Sequence, residues 1–362
     1  MQQSPDDFIA TAPAFVTLFG EHHRHLGFGS IVMATSLRMA IRATPRDDGL
    51  IFISGFDGEG VCFNPGEAPD FPETEIIPGA CLSHLSFDVQ PGHGYSFRAL
   101  NTGVERSGLD IRLLEAVSWS AAILRAFDES VEQNDSEIAS LAQRAFKTVA
   151  DSGNEGYCKV PLAGGLLAFP PHAEEPLNVN HEMEGIVIGF DEEATDAESD
   201  LRRSQEILET ALNDLRERET NFDFASAETD AIYGDLKYLS DEQATRLFGY
   251  TDIRDVWVEA VAAFEAEKLD IHEIGRLLDQ QHDVYRDYFG LSSPKLEKLV
   301  DAAKKAGALG CSLCGTGGTF VAFAPTRQKQ VAKAIEREGG MAISVVQDEG
   351  LQIQSPEEYS IP

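Results

Sequence analysis

Two short stretches hold the residue types that can handle a small polar molecule. The first is Gly20-Glu21-His22-His23-Arg24-His25, which follows the apolar run Phe15-Val16-Thr17-Leu18-Phe19. A strand ending there puts a carboxylate, imidazoles and a guanidinium at its mouth, where small ligands commonly bind. The Glu21 carboxylate accepts hydrogen bonds from hydroxyls, whereas Arg24 only donates, in a fork suited to carboxylate or phosphate. His22, His23, Arg24 and His25 form a cationic spot on a chain whose formal net charge is −32. That predicts a site for an anionic small molecule at Glu21, His22, Arg24 and His25. The plainer role for Arg24 is to neutralise acids such as Glu21. The second stretch is Gly310-Cys311-Ser312-Leu313-Cys314-Gly315-Thr316-Gly317-Gly318-Thr319. Glycines let backbone N–H groups approach a phosphate closely, so Gly315, Thr316, Gly317 and Gly318 are candidate nucleotide contacts. The same glycines also serve tight packing without a ligand. No residue is assigned as a nucleophile, a base or a metal ligand.

Composition narrows the partners. A pI near 4.5 and the large negative charge repel nucleic-acid backbones and anionic bilayers, which leaves a small molecule as the expected ligand. Such a surface also suits a salt-rich, halophilic cytoplasm. The five cysteines are too few and scattered for a disulfide scaffold. Cys311 and Cys314 form a lone Cys-x-x-Cys; a zinc site takes about four ligands and no second pair accompanies it, so both read as small residues packed beside a glycine turn. No apolar run approaches a membrane span and residues 1–7 lack a signal pattern, which makes cytoplasm the expected compartment.

At 362 residues the chain is long enough for two domains, divided here as 1–175 and 176–362 with the connection in 170–184. In the first half, 8–12 and 15–19 read as short strands flanking a turn at Pro13. Residues 30–43 read as a strand, and 50–54 with 60–63 as a hairpin. Residues 66–86, punctuated by Pro and Gly, read as irregular. The stretches 95–106, 113–127 and a segment from Ser136 to 150 read as helices. In the second half, 197–218, 252–268, 271–289, 294–306 and 328–339 read as helices, with strands at 186–190, 319–324 and 342–347. Helices between a few separated strands imply an α+β architecture.

Taken together, Ala12-Pro13, Gly20-Glu21-His22 and Leu26-Gly27 near the start, with Gly315-Thr316-Gly317-Gly318 near the end, resemble the first and third motifs of the GHMP small-molecule kinases. His282, Arg286-Asp287-Tyr288 and Ser293-Pro294 add to the likeness, which covers about 10–44 and 136–350. The resemblance implies a ribosomal-S5-like N-terminal domain, a ferredoxin-like C-terminal domain and a ligand cleft between them. It also implies ATP and Mg²⁺ as cofactors. In galactokinase-type relatives, an Asp that holds sugar hydroxyls stands where this chain has Arg24. An Arg is common where it has Phe15.

The second motif of the family, a Gly-Ser loop cradling ATP phosphates between a strand and a helix, has no counterpart in the sequence. Either Ser107-Gly108-Leu109-Asp110-Ile111-Arg112 replaces it, or the strand and loop are deleted and 95–111 matches the preceding helix; the deletion is the expected case. The family's acidic Mg²⁺ ligand falls on Phe146. Its catalytic Asp falls on Tyr157, Cys158 or Lys159, unless a shifted gap recruits Asp151 or Glu155. Two functions follow. One is a degenerate, pseudokinase-like protein that binds an anionic sugar-like or hydroxy-acid metabolite, or a partner, without phosphorylating it. The alternative is an active ATP-dependent kinase of the galactokinase or mevalonate kinase type. A homodimer, or pairing with an active paralogue, is the expected form of any partner.

Overall fold

The computed structural model describes residues 7–21, 28–65, 76–84, 94–127, 134–150, 155–173, 175–193, 198–218, 224, 227, 229–315 and 318–360. The first half is built on long strands. Strand β1 (Phe8–Phe19) pairs antiparallel with β2 (Ser30–Arg46), and β3 (Ile51–Ser54) forms a hairpin with β4 (Gly60–Phe63). The short helix α1 (Ile76–His84) precedes β5 (Gly94–Leu100), and helices α2 (Arg112–Phe127), α3 (Asp135–Lys147) and α4 (Lys159–Ala163) follow. Strands β6 (Leu166–Phe169) and β7 (Leu177–Asn178) close this half.

The second half starts at β8 (Ile186–Phe190) and runs through α5 (Glu198–Arg218), α6 (Thr229–Asp235), α7 (Asp241–Glu265), α8 (Ile271–Asp287) and α9 (Pro294–Ala306). It then adds β9 (Gly310–Cys314), β10 (Thr319–Phe323), α10 (Gln328–Arg337), β11 (Met341–Val345) and β12 (Gln352–Gln354).

The strands form two sheets. The larger runs β12-β1-β2-β5-β3-β4, with β6 also on β2 and β7 on β6. The smaller is antiparallel throughout in the order β11-β8-β10-β9, the ferredoxin-like arrangement. The α+β fold expected from the sequence is therefore present.

Three stretches contradict the sequence expectation outright, while α4, α6, β6, β7, β9 and β12 are elements that the sequence reading does not contain. Residues 94–100 form β5, not a helix: Tyr95 and Phe97 stack with centroids 5.7 Å apart, and Arg98 lies over the Phe52 ring on the facing strand. Only a 3-10 turn, Val104–Arg106, is helical in that stretch. The strand that the sequence suggested was deleted is thus in place. Residues 76–84 form α1, buried along most of its length despite Pro78 and Gly79. Residues 8–19 make one strand rather than two, because Pro13 sits at a register shift where a missing ladder N–H is tolerated.

The end of the chain returns to the first sheet. Residues 346–351 run beside β2 and the end of α4: Ser36 N–H donates to Val346 O, and Gly165 N–H to Asp348 O. At the crossing a Cβ on Gly350 would lie 1.9 Å from Leu162 O, so only glycine fits. Arg38 locks this strap. Its Nε donates to Thr11 Oγ1 (3.2 Å), Nη1 to Asp348 Oδ2 (2.9 Å) and Glu349 O (3.0 Å), and Nη2 to Thr11 O (3.0 Å) and Gly350 O (2.7 Å).

Candidate functional site

The exit of β1 is fixed by one side chain. Gln281, buried on α8, accepts from Gly20 N–H (3.0 Å) and donates to Leu18 O (3.0 Å) and to Ser312 Oγ on β9 (2.8 Å). Gly20 leaves the strand at φ 84°, which an L-residue rarely adopts. The two stretches singled out in the sequence, one beginning at Gly20 and the other containing Ser312, are thereby brought together.

Glu21 stands at that junction. Its Oε2 is sealed from solvent and has no hydrogen-bond partner among the described residues. Burial pushes its carboxyl up to about 7, against a backbone N–H from Gly315 that favours the charged form; the Asp110 carboxylate adds to the rise. Tyr285 on α8 and the Cys314 thiol face the same carboxyl, and burial pushes both groups well up, so neither is a nucleophile near neutral pH. At Gly315 (φ 72°) nothing among the described residues lies within 4 Å of where a Cβ would stand. Gly318 (φ 83°) accepts from Asp191 N–H. His22, Arg24, His25, Thr316 and Gly317 lie outside the described residues.

The third part is the connection 101–111 between β5 and α2. Thr319 Oγ1, at the start of β10, donates to Gly108 O (2.6 Å), and Gly108 (φ 71°) packs on the Phe190 ring. The connection from β5 to α2 thus meets the start of β10 beside the glycine turn, and helix N-termini after such turns are places where anions commonly bind. Its side chains are engaged locally. Ser107 Oγ donates to Val104 O (2.7 Å), and Asp110 accepts from Arg112 N–H (3.1 Å) and pairs with the Arg112 guanidinium (2.6 Å).

Other expected positions prove structural. Phe146 is 3% exposed in the core between α2 and α3. Tyr157 donates its hydroxyl to Ser30 Oγ (2.8 Å) and packs on Phe15 and Phe169; Cys158 is buried against Ala139 O; Lys159 pairs with Glu175. Asp151 and the Glu155 side chain lie outside the described residues. Cys311 and Cys314 belong to different cores on opposite faces of β9, so they cannot share a metal. His282 joins α8 to α9 through Glu297 (3.0 Å), and burial lowers its pKa. Gln281 and Tyr285, which the sequence analysis passed over, lie four residues apart on the inward face of α8; that spacing was the available signal.

For a nucleotide with its metal, the fit rests on carboxylates. Among the described residues no three His, Cys, Asp or Glu side chains converge as a metal site. Mg²⁺ commonly takes only one or two carboxylates together with phosphates. Glu21, with its unpartnered oxygen, and Asp110 are the two that meet beside the glycine turn.

Sequence and fold comparisons agree on the class. Residues 260–340 match the model for the GHMP kinases C terminal region. The galactokinase of Streptomyces coelicolor is 35% identical, covering 91% of this chain and 87% of that protein. The mevalonate kinase of Pyrococcus horikoshii is 28% identical, covering 96% and 97%. Among solved structures, Lactococcus lactis galactokinase complexed with galactose superposes with a TM-score of 0.76 at 15% identity, covering 96% of this chain and 95% of that one. Methanococcus jannaschii mevalonate kinase gives 0.66 at 17%, covering 96% and 100%. The chain belongs to the GHMP kinase family.

Proposed function

We propose that this protein is an ATP-dependent small-molecule kinase of the galactokinase and mevalonate kinase type, phosphorylating a hydroxyl of a polar, anionic sugar-like or hydroxy-acid metabolite. The observation that carries the proposal is Glu21: a carboxyl with an unpartnered, sealed oxygen where the β1 exit, the 101–111 connection and the glycine turn converge. Full-length likeness to kinases of both types supports it. Bound ATP would supply the phosphoryl group, and Mg²⁺ would offset its charge.

The chain's own residues bind and orient. Glu21 holds the substrate hydroxyl: neutral below about pH 7 it donates to the ligand, and charged above that it accepts. Asp110 would hold the metal, which leaves the one free oxygen of Glu21 to the hydroxyl. The open face of Gly315 and the N-terminus of α2 would receive phosphate oxygens. Arg24 would pair with the anionic group of the metabolite. The acidic surface suits a halophilic cytoplasm, an idea that full stability of the pure protein in dilute buffer would sink.

A second reading, ligand binding without phosphoryl transfer, is favoured by Phe146 and Tyr157, core residues where relatives of this family carry acids, and by Asp110 already holding the first N–H of α2. One experiment separates the two. Mg-ATP is titrated by calorimetry at high and low salt, and ADP release is followed with galactose, sugar acids and mevalonate. The kinase predicts saturable ATP binding and substrate-dependent ADP release, both lost in Glu21→Ala. Absence of ATP heat with retained metabolite binding would establish the second reading instead.

A further inference from the structure

A separate pocket of about 630 Å³ lies where β2, β6 and β7 of the first sheet meet α7. Its walls include Ile31, Ala168, Leu177, Trp257, Val261 and Phe264. It sits on the face of the sheet where Ala168 and Ile31 pack with the third core, opposite Phe169, which packs with Tyr157 in the first. The walls are preformed. The Trp257 ring lies against Gly29, where a Cβ would come within 2.1 Å of it, and His181 Nε2 ties the β7 side to Ala266 O at the end of α7 (3.0 Å). Leu177 is 60% exposed at the mouth, an apolar surface left open.

The rim has one sign. Glu265 and Glu267 line it, and no Lys or Arg does among the described residues. It is also the C-terminus of α7, whose last turn holds no basic residue. The terminal carbonyls of a helix carry partial negative charge, which cations offset. Two carboxylates placed there leave that charge uncompensated. Lys268 is exposed and is not part of the lining.

We propose that this pocket is a second binding site, for a small cationic amphiphile: an apolar or aromatic body against Trp257, Val261 and Leu177, and an ammonium group at Glu265, Glu267 and the end of α7. The volume suits one such molecule, and apolar burial with a few placed polar groups is how such sites bind. The occupant touches both the first sheet and α7, so it braces the two halves of the chain.

Three isosteric probes test this: 4-phenylbutylamine, 4-phenylbutanol and 4-phenylbutyrate. Trp257 is the reporter, since the other tryptophan, Trp119, is sealed in the first core. The amine should quench or shift Trp257 emission saturably, and the acid should bind at least about tenfold more weakly. Filling the pocket with Val261→Trp should abolish amine binding, read by calorimetry and checked for folding by thermal melting. Leu177→Ser, at an exposed position, should weaken the hydrophobic contact without adding charge or threatening the fold. Glu265→Gln with Glu267→Gln should erase the preference for amine over acid. No saturable amine binding, equal binding of acid and amine by the wild type, or undiminished affinity in folded Val261→Trp would each overturn the proposal.

Discussion

Arg38 and Glu21 are both charged groups drawn out of water on the first sheet, and they are treated in opposite ways. Arg38 spends its guanidinium on Thr11, Asp348, Glu349 and Gly350, so that every direction of its fork meets an acceptor. Glu21 receives one backbone N–H, from Gly315, and its other oxygen meets none among the described residues. A buried charge with full partners holds a structure together; one with an orphaned atom carries an energetic penalty that a ligand can relieve. The same chain thus separates a strut from a socket by how far each charge is satisfied.

Arg38→Met should give the largest effect. Removing the guanidinium strands Asp348 and three carbonyls, and urea unfolding should show a loss of about 3–5 kcal/mol, with metabolite affinity per folded molecule unchanged. A loss of affinity without loss of stability would break the contrast. Glu21→Gln should do the reverse. Burial pushes the folded acid up to about 7, against about 4.5 in the unfolded chain. In the wild type this group therefore adds a destabilising contribution that starts near pH 4.5, grows as pH rises and is complete above 7. It amounts to about 3 kcal/mol. The variant should be more stable than wild type at pH 8, equal to it at pH 4, and unable to hold the substrate. Identical pH–stability curves for the two proteins would show that Glu21 is not buried in this sense.

Gln281→Leu removes the partner of Gly20 N–H and Leu18 O and one of the two partners of Ser312 Oγ, which should cost about 1–3 kcal/mol by denaturant unfolding and detach Glu21 from Gly315. Asp110→Asn is the smallest change. It removes the like charge beside Glu21, so the Glu21 midpoint, followed by carboxyl carbon NMR, should fall by less than about one unit. A rise would mean that Asp110 does not face Glu21.

Much of the architecture was legible from local pattern. Ser293-Pro294 as cap and first turn, and Gly307 in the left-handed region, bound α9 at 294–306 as read from the sequence. Where the local signal was mixed, the reading failed. In 95–106, Ala99-Leu100 runs on towards Val104-Glu105-Arg106 and suggests helical spacing. The deciding facts are the antiparallel register of β5 with β2 and the parallel one with β3, which no local window contains. Helix α1 is apolar on nearly all sides because it packs against α2 and α3, so it lacks the one-sided stripe that marks a surface helix. The Glu21 motif was visible as residue types. Its isolation from partners was not, since that depends on Gln281, Tyr285 and Gly315, which lie more than 250 residues downstream and are placed only by the fold.

The position of β12 bears on how this protein is made. The outer edge of β1 pairs with Gln352–Gln354, far downstream in the sequence, and Arg38 finds three of its five acceptors in 348–350. Until those residues emerge from the ribosome, β1 has an open ladder and Arg38 on β2 lacks three of its acceptors. An exposed edge of this kind recruits other chains. Nascent chains therefore carry this open edge until residues 348–354 have emerged, and a premature stop shortly after residue 345 would leave a product whose first half is complete in sequence yet cannot close its sheet.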